Sequence, residues 1–551
     1  MHNWLTALSR TINSKQSNSI VLTGNIYDLF YDGNTYTPII PFLINKYKNI
    51  STVTYQANGN ISVKNIEILK DQEKILSDCK GNQLASLEFL RTISNSCKQV
   101  LIIIEMPELL IPEGNIASLS SLDRMKIALM QNWFNDPIFT SGNSSVILIS
   151  ETRTSINERV SKLPQFIEIS IPSPDKDNRK FFIDWFESSK NLSIPIKEEI
   201  IAGTAGLSIH AVQQLLNDIT YENISDDLIR SKIIYKVEEY IKSQLGEDVV
   251  EFKKPKHNLD NVVGYSNLKN FIRNELIPSF KSTDGTGLSG ITVAGPIGSG
   301  KTFIFEAVAT ELDMVYLNLK NIRSQWYGTT DVIINRLYRI LVALDKACIS
   351  VDEADTQFGK IKEDGHETEK RLVGKIQQIM SDDNLKGKII WILMTARVHL
   401  LSADIRRPGR AGDLIIPVLD PTSNKDRVDF CNWIIPKDLN LKSIDKILEL
   451  TKNYSSAAYA SIKARIKSNK CKTEEEILSI INDTLFADIQ EERRYQELQA
   501  LVNCTRFSLL KETEGIQKLL GDTSSVFSVK VNEVKNKWRE EINYLESKGI
   551  R

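Results

Sequence analysis

The 551-residue sequence has few cysteines, no long apolar run and no excess of charge. Its six cysteines (Cys79, Cys97, Cys348, Cys431, Cys471, Cys504) are scattered, with no C-x-x-C pair. That excludes a disulfide framework or a zinc ribbon and fits reduced thiols in a cytosolic protein. Lys and Arg number 69 against 70 Asp and Glu. No global field therefore draws the chain to nucleic acid or to an anionic membrane. The longest apolar runs, such as Val100–Ile104 and Ile389–Met394, are strand-sized and too short to cross a bilayer. The first ten residues lack a basic stretch followed by an apolar core, so no signal peptide is expected. No H-E-x-x-H occurs, so the chain itself is not expected to cut proteins. The expectation is a soluble, cytoplasmic protein of three or four domains.

What is present centres on Gly295-Pro296-Ile297-Gly298-Ser299-Gly300-Lys301-Thr302. This G-x-x-x-x-G-K-T follows a strand-like run and precedes a helical pattern, as a phosphate-binding loop requires. The glycines let consecutive N–H groups face a polyphosphate, with a helix N-terminus behind them. Lys301 can reach the β- and γ-phosphates of ATP, and the Thr302 hydroxyl can ligand Mg²⁺. A second element, Cys348-Ile-Ser-Val-Asp352-Glu353, is a buried strand ending in two acids. Asp352 would hold Mg²⁺ and Glu353 would orient and deprotonate a water, although acids at a strand end can also merely cap a helix.

Strand candidates around Ile291, Val315–Leu317, Cys348–Val351, Ile389–Met394 and Leu414–Val418 alternate with helices, which argues for a parallel sheet covered on both faces. The fold class is α/β, a P-loop NTPase with a helical lid. It is preceded by a related α/β module and followed by a helical C-terminal region. The expected boundaries are 1–235 for the first module, 236–258 for a charged linker, 259–420 for the core, 421–470 for the lid and 471–551 for the extension. Lys253, Lys254 and Lys256 in the linker read as solvated. The charge runs of the terminal helices read as solvated faces too. The first module is a duplicate: the offset that carries Arg179, Phe182 and Trp185 onto Arg427, Phe430 and Trp433 also carries Glu105 onto Glu353. It lacks a phosphate loop, because Gly24 is followed by Asn25-Ile-Tyr-Asp-Leu-Phe30 with neither a second glycine nor a lysine.

With these motifs in place, residues 258–466 resemble one AAA module of the AAA+ ATPases, in the group with katanin-, spastin- and FtsH-type proteins. The resemblance implies that Arg407 and Arg410 of Ile405-Arg-Arg-Pro-Gly-Arg410 are arginine fingers serving a neighbouring subunit. It therefore implies a ring, usually a hexamer; locally the segment could be only a surface turn. Gln325-Trp-Tyr-Gly328 resembles the first pore loop, implying that Trp326 and Tyr327 grip a polypeptide client; a buried aromatic pair is the alternative. Val263 and Gly264 lie where the family packs backbone against adenine, and Thr395 lies in its T-N-R sensor segment. Here that segment is Thr395-Ala396-Arg397, so the polar sensor is missing. The degenerate first module, and the stretch Glu491–Leu501, are similar to a tandem-AAA family of cyanobacteria, plastids and other bacteria. Three functions follow as expectations: an ATP-driven remodeller of proteins, a slow nucleotide-switched assembly module, and, disfavoured by charge, a nucleic-acid motor.

Overall fold

The computed structural model describes residues 3–550 apart from 65–72, 80, 222–224, 248, 282–286, 313, 321–329, 345, 360–366, 408, 422, 437–438, 440–443 and 511–526. It divides into two compact units, Met1–Tyr240 with Thr329–Ala343, and Ile241–Gly328 with Leu344–Arg551.

The first unit holds strands β1 (Ser19–Gly24), β2 (Leu29–Tyr31), β3 (Tyr36–Pro38), β4 (Ser51–Tyr55), β5 (Ile61–Lys64), β6 (Val100–Glu105), β7 (Ser145–Ile149) and β8 (Phe166–Ile171). Six of them form a sheet in the order β5-β4-β6-β7-β1-β8, parallel except at the β5 edge. β6 and β7 are almost wholly buried, as continuous β-branched runs covered on both faces must be. β2 and β3 form a separate hairpin just after β1. Within this unit Glu151 accepts from the guanidinium groups of Arg336 (2.5 and 2.6 Å) and Arg339 (2.7 Å).

The second unit holds β9 (Val250–Lys253), β10 (Gly290–Ala294), β11 (Val315–Leu319), β12 (Ala347–Val351), β13 (Ile389–Thr395) and β14 (Ile415–Pro417). Their order is β14-β10-β13-β12-β11-β9, again parallel with one antiparallel edge. All five strand candidates are present. The edge strand β9 is not in the linker reading of 236–258. Its Val250 is buried and its Lys253 pairs with Glu306 at 2.9 Å, so that lysine is not a free solvated charge. Four residues with one buried side chain are too short a pattern to show a period.

The five parallel strands of the two sheets have one topology, which supports the duplication read from the sequence, whereas the antiparallel edge comes from a strand after β4 in the first unit and from one before β10 in the second. The lid repeats as well. Arg179, on helix Lys176–Lys190, donates to the carbonyl of Ile201 at 3.3 Å, and Arg427, on helix Asn424–Ile434, donates to that of Leu448. The register of the repeat shifts by one at the acids, however. The residue in the left-handed conformation that opens the helix after β6 is Met106 (φ 48°), and after β12 it is Glu353 (φ 48°). Met106, rather than Glu105, therefore stands where the second copy has Glu353, and a thioether cannot take a proton. The sequence offset misses this because a single-residue length difference between the copies falls between the strand and the helix.

Candidate functional site

β10 lies between β14 and β13, so its carboxyl end opens among the ends of the other parallel strands, where ligands of such sheets bind. Residues 295–300 turn there into helix Lys301–Leu312. Gly298 and Gly300 have φ of +82° and +80°, which let the loop curl with its N–H groups inward. Gly295 has no room for a side chain: a Cβ would sit 2.0 Å from the carbonyl oxygen of Val418. The buried Ser299 has its carbonyl held by the Tyr265 hydroxyl at 2.6 Å. The lid closes one wall, Ala457 N–H donating to the carbonyl of Gly298 at 3.0 Å from the first turn of helix Ser456–Ser468.

The Lys301 ammonium donates to the carbonyls of Gly295 and Pro296, both at 2.9 Å. Burial pushes its pKa down to about 8, against the opposing pull of Asp352 and Asp420. Thr302 Oγ1 lies 3.3 Å from Asp352 Oδ2, and Asp352 Oδ1 accepts the N–H of Glu353 at 3.0 Å. Asp352 and Glu353 are exposed to the cavity that these residues share with Val263, Ile297, Thr395 and Ala396, whose volume is about 1000 Å³. A hydroxyl and a carboxylate this close are the hard oxygen donors that Mg²⁺ takes, so the pair fits that ion. Gly264 stands behind the wall at φ +67°, too close to Phe430 for any side chain.

The sensor segment is arranged around a residue that sequence reasoning passed over. Asp355, almost fully buried, accepts from Thr395 Oγ1 at 2.6 Å and pairs with Arg397 at 2.7 Å. Both polar neighbours of Ala396 are thus turned to Asp355, and Ala396 itself lines the cavity.

Residues 1–172 match the family described as "AAA+ chaperone, N-terminal Rossmann-like domain". Residues 291–417 match "ATPase family associated with various cellular activities (AAA)". The chain belongs to the AAA+ ATPases. Similar proteins include Protein SAV of Sulfolobus acidocaldarius, 29% identical over 37% of this chain and 26% of the relative. The peroxisomal ATPase PEX6 of Dictyostelium discoideum is 25% identical over 69% of this chain and 34% of its own length. A cell division cycle protein 48 homolog of Archaeoglobus fulgidus is 28% identical over 30% and 23%. The chain spans about a quarter to a third of these three relatives. The family matched over residues 291–417 is described as one of ATPases, and the Dictyostelium discoideum relative is named an ATPase.

In this AAA+ chain Arg407 is exposed, whereas Arg410 is held within its own subunit by Ser381 Oγ (3.0 Å), Gln377 Oε1 (3.0 Å) and the Asp404 carbonyl (3.1 Å). Neither lines the cavity. Trp326 and Tyr327 lie outside the described residues. Among described residues no helix is long and apolar enough to cross a membrane. The first unit has a buried carboxylate where the second has its loop. Asp28 accepts from Ile209 N–H (3.0 Å) and His210 N–H (2.9 Å) at the start of a lid helix, and from Leu29 N–H and Asn25 Nδ2 (both 2.8 Å). These donors are thus satisfied within the unit, while burial pushes the Asp28 pKa up.

Sequence reasoning also missed Arg493 and Gln496, which line the cavity from helix Gln490–Asn503. Their stretch reads as an amphipathic helix whose charge runs form a solvated face.

Proposed function

We propose that the protein is a Mg²⁺-dependent ATPase that assembles into a homo-oligomeric ring, a hexamer, and uses hydrolysis to unfold or disassemble a protein client in the cytoplasm. The observation that carries this reading is the convergence of Lys301, Thr302, Asp352 and Glu353 on one cavity at the sheet's carboxyl edge. Lys301 balances charge on the β- and γ-phosphates. The N–H groups of Gly298 and Gly300 cradle them, and the backbone near Val263 and Gly264 takes the adenine. Thr302 and Asp352 would hold Mg²⁺, which supplies neutralisation of phosphate charge when bound. Glu353 accepts the proton of the attacking water. Arg407 and Arg410 act on the nucleotide of the neighbouring copy, where a guanidinium stabilises transition-state charge. Trp326 and Tyr327 grip the client polypeptide.

A second reading has a specific observation behind it. Thr395 and Arg397 are engaged with Asp355, and Ala396 offers no polar group to position water, so turnover slow enough for a nucleotide-switched assembly module is the alternative. A nucleic-acid motor is the least favoured, given the charge balance.

The deciding experiment is steady-state ATP hydrolysis across protein concentration, with Glu353→Gln beside it. Specific activity rising with concentration and falling about 10²–10⁴-fold in the variant supports the ring ATPase. Tight binding without turnover favours the switch, and hydrolysis unchanged in the variant rejects the catalytic assignment.

A further inference from the structure

Helix Gln490–Asn503 holds the phosphate loop from outside. Gln496 Oε1 accepts the N–H of Ile297 at 2.9 Å, and Arg493 Nε donates to the carbonyl of the same residue at 3.1 Å. The two side chains are three residues apart and so share one helix face. The other edge of the Arg493 guanidinium is locked on both oxygens of Asp420, at 2.7 and 2.6 Å. Asp420 lies just beyond β14, so one guanidinium ties a strand end, the loop and the C-terminal helix together.

The helix is anchored independently of this contact. Arg494 forks onto Glu541 at 2.8 and 3.0 Å, and the Tyr495 hydroxyl donates to Glu546 at 2.8 Å, both on helix Phe527–Ser547. At its far end Asn503 Oδ1 accepts from Arg406 at 3.4 Å, beside Arg407. Just past it, Ile415 N–H of β14 donates to Thr505 Oγ1 at 2.9 Å. Gln496 is only 6% exposed, which a solvated helix face would not require. A loop with two glycines at positive φ has many alternatives to its phosphate-accepting form, and each must be given up on binding. Fixing the N–H and the C=O of Ile297, and so the two peptide groups that flank it, removes much of that freedom beforehand.

We propose that this C-terminal helix is a built wall of the nucleotide site, in which Arg493 is a positioning residue that sets nucleotide affinity by holding Ile297. The inference rests on the ATPase reading but adds a determinant beyond the loop and the acids.

The test is titration of the full chain with a fluorescent ADP analogue, with thermal melts of every variant. Arg493→Ala is expected to weaken binding about tenfold, the loss of a charge-assisted bond to the loop. Arg493→Lys, which keeps the charge and one bond, recovers part of it. Arg494→Ala, on the same helix but facing Glu541, stays within about twofold of wild type. The proposal is overturned if Arg493→Ala binds like wild type. It is equally overturned if Arg494→Ala loses as much, since the helix would then act only through general packing. Failure of the wild-type protein to bind nucleotide would instead defeat the ATPase reading.

Discussion

Lys301 gives the site a pH signature that can be worked from its surroundings. Burial lowers its pKa to about 8, so in the free protein it is about nine-tenths charged at pH 7 and one-tenth at pH 9. Phosphate oxygens beside the amine favour the charged form, so the bound state keeps its proton well above pH 8. Binding at pH 9 must therefore take up about 0.9 proton per nucleotide, and affinity falls about tenfold between pH 7 and pH 9. The sign is fixed by the direction of the shift: the free state is the one that loses its proton in this window. Asp420, pushed up to about 6 mainly by its burial, titrates below it, as does the nucleotide's own phosphate. The assay is calorimetric titration with ADP in two buffers of different ionisation enthalpy, from pH 7 to 9. Lys301→Arg supplies the control, since a guanidinium stays charged throughout and should flatten the profile. A wild-type affinity constant within about twofold over this range, or a slope that survives in Lys301→Arg, refutes the reasoning.

Asp28→Ala removes an acceptor of four hydrogen bonds from a buried position in the first unit and strands their donors, at a cost of about 2–4 kcal/mol. It should lower the melting temperature without changing nucleotide affinity. Gly264→Ala places a Cβ 2.8 Å from Phe430, whose ring is stacked on Tyr459, at a left-handed φ. Overpacking and backbone strain together should cost about 2–4 kcal/mol, read as a fall of about 5–15 °C in a thermal melt. Arg407→Ala, at an exposed position, should leave the melt unchanged and lower kcat about 10³-fold, whereas Arg410→Ala also costs about 1–2 kcal/mol of stability through its three lost bonds. Hydrolysis at the wild-type rate in Arg407→Ala would remove it from the mechanism.

Much of the site is local in sequence and was legible there. Gly295 to Thr302 is one strand–turn–helix, and Asp352 and Glu353 are adjacent at one strand end, so spacing alone carries their chemistry. The five parallel strands announced themselves because a strand buried on both faces must be continuously apolar. The duplication showed through Arg179 and Arg427, each of which reaches from its helix to a backbone carbonyl 22 or 21 residues further on.

Other features depend on residues that meet only when the chain is folded. The role of Asp355 is invisible until Thr395 and Arg397, some forty residues on, are brought against it. Arg493 and Gln496 read as solvated charge because a helix's sequence shows which residues share a face but not what that face meets. Likewise, the one-residue register shift that puts Met106 opposite Glu353 is a matter of backbone dihedrals. The sheet, the phosphate loop and the paired acids are each encoded within a few consecutive residues, so they can be read along the chain. Which distant polar groups complete the site rests on hydrogen bonds across the fold, whose distances in space no spacing along the chain expresses.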